Sequence, residues 1–149
     1  MAIGWCANLA EANNYFAVER LETMCWDNLE SSADVKKKAA LIMAYNRLYY
    51  GGEFTLPTYA AATPAQLIVL VKVNCEMACY LSIHLSDEDR RKGLQVQGVI
   101  EAGIVKEKYH KDWLEKIPIP PIIWGMLWAF KTKKPFFAVD ITRDEDEDV

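Results

Sequence analysis

The side chains best suited to chemistry in this chain are Cys75, Cys79, His84 and His110, followed by the lysine run Lys36, Lys37 and Lys38. Thiolates and imidazoles bind zinc when their spacing lets four of them close a tetrahedron. Cys75 and Cys79, four apart in an expected helix, share one face, but with His84 and His110 their spacing is poor for zinc, and no metal ligands are assigned. Cys75, His84 and His110 would make a nucleophile and its bases only if the fold gathered them. No Gly-rich phosphate loop or nucleophile elbow accompanies them. The reading is non-enzymatic, with no catalytic residue and no cofactor.

A second chemistry is stacking. Tyr49, Tyr50, Phe54 and Tyr59, beside Lys36 to Lys38 and Arg47, are what a single-stranded nucleic-acid-binding module needs, rings for bases and cations for phosphates. The opposing reading makes the lysines a solvated helix face and "LYYGGEF" a packed helix end. Charge bears on duplex DNA more directly. The net charge is −4, yet the last ten residues alone carry six acids against Arg143, a net −5, so residues 1 to 139 sum to +1. A near-neutral body lacks the broad basic surface that supplies non-specific affinity for duplex DNA.

The elements that must position these residues are mostly helical. With 149 residues, 52% of them hydrophobic, the chain is expected to form one body with a sizeable core. Asn8 with Glu11 caps a helix from about Leu9 to Leu21, with Leu9, Ala12, Phe16 and Arg20 near one stripe, and Trp26 in the following link plugs a gap between helices. Ser31 with Asp34 opens the next helix, where Val35, Ala39, Ile42, Met43 and Tyr49 carry the period to about Tyr50 before Gly51 and Gly52 stop it. After the loop "GGEFTLPTYAAATP", Thr63, Pro64 and Gln66 are a strong start signal for a central helix reaching about Leu85, with His84 near its C-terminus. Its apolar core, Leu67 to Val73, is too short to span a bilayer.

The charged stretch "SDEDRRKG" is read as a solvated break. Alternating Val, Ile and Tyr around Gly98 and Gly103 then predict a β-hairpin over 94–110, strands near 94–100 and 104–110, with "EAG" at the turn. A last helix, "PIIWGMLWAF", puts Trp124, Leu127 and Trp128 on one face. The four cysteines, Cys6, Cys25, Cys75 and Cys79, are read as reduced thiols buried as small hydrophobes, since "MAIGWCANLAEANNYF" has no secretory pattern. The fold class is mainly α: a bundle of about four helices with a hairpin insertion (residues 1–134) and an extended C-terminal arm (135–149).

That arm, "PFFAVDITRDEDEDV", alternates Phe137, Val139 and Ile141 on one face with Phe136 and Ala138 on the other, then becomes acidic. It reads as a strand that adds to a partner's sheet edge, or as one packed back on the domain beside the hairpin.

Residues across most of the chain resemble the head-to-tail adaptor proteins of tailed phages, also called head completion or neck proteins. The opening "AEANNYFAVERLETMCWDNLESSADVKKKAALIMAYNRL" matches the family's first two helices at Ala10, Ala12, Tyr15, Phe16, Arg20, Trp26, Lys37, Ala40, Leu41, Ala44 and Leu48. Leu56–Pro57, the helix after Thr63, the Gly-containing hairpin and an "IPP" segment follow in the family's order, while Asn13 or Asn14 stands where an acid is common. The resemblance implies a structural virion protein of the neck, assembled in the host bacterial cytoplasm. Its copies would form a ring, commonly dodecameric, joining the portal protein to a tail or stopper protein, with DNA passing through the lumen and no membrane involved. It also implies that Phe136, Phe137, Val139 and Ile141 dock on the portal. On the residues themselves, Lys106, Lys108 and Glu107 can pair opposite charges between neighbouring copies, or the hairpin can fold on its own helices. The alternative function is single-stranded nucleic-acid binding.

Overall fold

The computed structural model describes residues 1–98, 101–102, 107–108 and 117–132, and for 101–102 and 107–108 the backbone alone. It is mainly α: α1 (Leu9–Val18), α2 (Met24–Asp27), α3 (Val35–Tyr50), α4 (Pro64–Val96) and α5 (Pro121–Met126), with a two-residue pairing of β1 (Glu101–Ala102) and β2 (Glu107–Lys108). Helix α4 is the axis, and α1, α2, α3 and α5 all pack on it.

Local chemistry accounts for the helix starts. Asn8 accepts a hydrogen bond from the Glu11 amide at 3.0 Å, and the Glu11 carboxylate accepts one from the Ala7 amide at 2.6 Å, so two otherwise orphaned donors are satisfied. Thr63 and Gln66 form the reciprocal box at 3.2 and 2.9 Å with Pro64 in the first turn, as the spacing predicts. The start of α3 differs in detail. Ser32–Asp34 make one 3₁₀ turn, Ala33 and Asp34 take φ of 54° and 55°, and the Ser31 hydroxyl receives the Lys36 amide at 3.1 Å.

Helix α4 continues for 33 residues, well beyond the break expected after Leu85. The stretch "DEDRRK" is charged, but its charges lie at helical intervals with each acid N-terminal to its base. Asp87 meets Arg90 and Arg91 at 3.2 and 3.1 Å, and Glu88 meets Lys92 at 2.8 Å. Such pairs favour helix over loop. Leu94 to Val96 are therefore helical, not the start of a strand, and Glu101 and Ala102 lie in β1 rather than in a turn, with Glu101 opposite Lys108 and Ala102 opposite Glu107. His84 accordingly sits within the helix, far from its end, its ring 4.8 Å from that of Tyr80.

An 18-residue window of α4 is long and apolar enough by composition to cross a bilayer, which Leu67–Val73 alone did not suggest, and 44% of that window is buried inside the body. Leu70, Val73, Cys75, Met77, Ala78, Cys79 and Leu81 are its core residues.

Helix α3 turns a different face inward from the one its most conspicuous apolar residues mark. Leu41, Ala44 and Leu48 are buried, whereas Val35, Ala39, Ile42 and Met43 of the expected stripe are exposed and only its Tyr49 packs partly against the core; Tyr50 is exposed as well. Both faces are apolar, so periodicity alone does not choose between them. The N-terminus belongs to the core: Ile3 and Cys6 pair in a tight bridge, and fully buried Trp5 donates its indole N–H to the Pro57 carbonyl at 2.9 Å. In the last segment Ile123 and Leu127 are buried, but Trp128 is exposed beneath the Lys131 ammonium.

Two of the four cysteines are not free. Cys25 on α2 and Cys79 on α4 form a disulfide, correcting the expectation of four reduced thiols, while Cys6 and Cys75 remain buried and unbridged. In denaturant without reductant, a maleimide is expected to label two cysteines per chain. Labelling of all four would contradict the pairing.

Candidate functional site

Two polar clusters interrupt the core, and both converge on a carboxylate of α4. In the first, Nη1 of Arg47 on α3 straddles both oxygens of Glu88 at 2.8 and 2.9 Å, and Lys92 Nζ meets the same carboxylate at 2.8 Å. The Arg47 and Glu88 side chains are 13% and 9% exposed, so the charges are held largely out of water and compensate one another. The cluster forms one wall of a cavity of about 430 Å³ whose other walls include Glu53, Tyr80, His84, Pro118 and Trp124. Burial, and next the negative charge of Glu88, push the Tyr80 hydroxyl pKa above its ordinary value. Trp124 is held in place by Phe54, ring centres 4.8 Å apart.

The second cluster lies where α1 and α2 meet α4. Tyr15 donates to Glu76 at 2.5 Å, and Arg20 Nε reaches the same oxygen at 3.2 Å. A second Arg20 nitrogen donates to the Glu22 carbonyl at 2.6 Å and to Cys25 Sγ at 2.9 Å. Burial, then the hydrogen bond and charge of Glu76, drive the Tyr15 pKa well above that of a free tyrosine, so the phenol stays a donor. Arg20 thus belongs to a polar latch, not to the apolar stripe of α1. Phe16 stacks on Trp26 at 4.5 Å, and the Trp26 indole N–H is received by Asn13 Oδ1 at 2.9 Å. Trp26 fills the gap between helices, and Asn13 accepts its hydrogen bond.

Among the described residues, Cys75, Cys79 and His84 are not gathered into a reacting centre. Cys79 is consumed by the disulfide. The Cys75 thiol is driven far above its ordinary pKa, first by its hydrogen bond with Cys6 and then by burial, which makes it a poor nucleophile and a poor metal ligand. Among the described residues no group of three His, Cys, Asp or Glu is placed to hold a metal ion, and His110 lies outside those residues.

The stacking set is only partly together. Phe54 is buried and Arg47 is committed to Glu88, while Tyr49 lies between Tyr45 and Tyr50 with ring centres 5.2 and 4.9 Å away, and Tyr50 is 75% exposed. Lys37 lies over the Trp26 ring at 5.3 Å.

Phe136, Phe137, Val139 and Ile141 of the arm, and Lys106 of the hairpin, lie outside the described residues. Glu107 and Lys108 form β2. Glu76 and Glu88, the acids on which both clusters depend, carried no signal in the sequence, because their partners stand 61 and 41 residues away.

No family model, no curated protein and no solved structure matches the chain.

Proposed function

We propose that the chain is a structural protein of a tailed-phage neck, similar to the head-to-tail adaptors, that forms a ring between portal and tail. The role is one of contacts rather than catalysis. The observation that carries this reading is the ordered match of residues along the opening of the chain. Ala12, Tyr15, Phe16, Trp26, Leu41, Ala44 and Leu48, all matched positions, are buried together, and matched Tyr15 and Arg20 share Glu76. Residues dispersed over about forty positions therefore behave as one interdependent set, as the positions that specify a common core would.

In this reading a small helical body, a hairpin insertion and the arm divide the work. Phe136, Phe137, Val139 and Ile141 add as a strand to the portal, Lys106, Lys108 and Glu107 pair charges between neighbouring copies, a tail or stopper protein docks beneath, and DNA passes through the lumen. Cryo-electron microscopy of purified particles tests the whole reading: the chain is expected as a ring at the neck, and its absence from virions would overturn it. For the hairpin, Lys106→Glu with Lys108→Glu is expected to abolish ring assembly on the portal with an unchanged melting temperature. A lowered melting temperature would assign those lysines to the body instead.

A further inference from the structure

The outward face of α3 has the composition of an interior surface. Val35, Ile42, Met43 and Tyr50 are 61, 48, 40 and 75% exposed, and Ala39 is exposed between them. At 100° per residue these five side chains fall within one stripe running the length of the helix. Its 16 residues make that stripe about 24 Å long. At its N-terminal end stand Lys36 and Lys38, neither of which has an acidic partner among the described residues.

The described chain ends at the opposite end of the same stripe. The Thr132 amide donates to the Glu53 carbonyl at 3.2 Å, and its hydroxyl to the Gly52 carbonyl at 3.4 Å, three and two residues past Tyr50. Seventeen residues follow: Lys133, Lys134 and Pro135, then an apolar run from Phe136, then an acidic end. From Phe136 to Arg143 an extended chain covers about 23 Å at about 3.3 Å per residue, which brings Asp144 to Asp148 level with Lys36 and Lys38 if Phe136 starts beside Tyr50.

We propose that this face of α3 is the seat of residues 136–148 of the same chain. The arm lies antiparallel to the helix, with Phe137 near Tyr50, Val139 near Met43 and Ile42, Ile141 near Ala39, and its acids against the lysines. Starting point, length, order of apolar and acidic residues and sign of charge all agree on this occupant. The seat belongs to the isolated chain, with or without a portal. In the neck reading it would shield the arm until a partner's sheet edge competes for it.

The test is photo-crosslinking in the full-length chain carrying Phe137→p-benzoylphenylalanine. Adducts to α3, on Tyr50 or its neighbours, are expected at the mass of the monomer. Adducts confined to other elements, adducts only between two copies, or no adduct would each overturn the proposal. Lys36→Glu with Lys38→Glu is expected to cut adduct yield by about fivefold, the effect of losing two exposed ion pairs. Ile42→Asp is expected to cut it further while the far-ultraviolet circular dichroism is unchanged. An unaltered yield in both variants would place the arm elsewhere.

Discussion

Replacing Glu88 by Ala is expected to lower the free energy of unfolding by about 3 kcal/mol, the scale measured when one partner of a buried pair is removed. The effect comes less from the lost attraction than from what remains. Arg47, 13% exposed, cannot discharge and would be left largely out of water without the carboxylate that pairs with it. Lys92, 30% exposed, can turn to water and adds little. Replacing both members, Arg47→Met with Glu88→Leu, is expected to restore most of the loss, since no orphaned charge is then left. Urea midpoints with an unchanged slope would report both variants. A loss below about 1 kcal/mol for Glu88→Ala would mean that water screens the pair as it does a surface ion pair.

A comparably large effect is expected from Leu41→Ala, about 3 kcal/mol, because the side chain is fully buried at the α3–α4 contact and its removal leaves a cavity. One residue along, Ile42→Ala is expected to cost less than about 1 kcal/mol, since nearly half of that side chain is exposed. Measured together by thermal or urea unfolding, the two adjacent substitutions report which face of α3 is core. Equal costs, or a reversed order, would mean that the helix is rotated from the orientation described here.

This contrast marks the boundary of what the sequence discloses. Helix starts are written locally: Asn8 with Glu11, and Thr63 with Pro64 and Gln66, act within four residues, and the structure uses both. The orientation of α3 is not local. Its two apolar faces are equivalent to any periodicity, and only α4 decides between them. The extent of α4 is hidden for a related reason, because a run of charges means a solvated loop in composition but a ladder of ion pairs in helical geometry. The polar centres were illegible. Nothing in a lone glutamate announces that an arginine 41 residues away will cover it, and nothing in four scattered cysteines names the pair that lies close enough to join.

The bond between Cys25 and Cys79 changes the covalent topology of the polypeptide. The backbone from α2 to α4, including all of α3 and the loop that runs from Gly51 to Ala62, becomes a macrocycle. A protease cut in that loop opens the cycle without releasing a fragment. Nicked chains would migrate as a single 17.0 kDa species on a non-reducing gel and divide in two only after reduction. The loop is thus tied at both flanks, so that damage there leaves α3 tethered and able to close back onto α4.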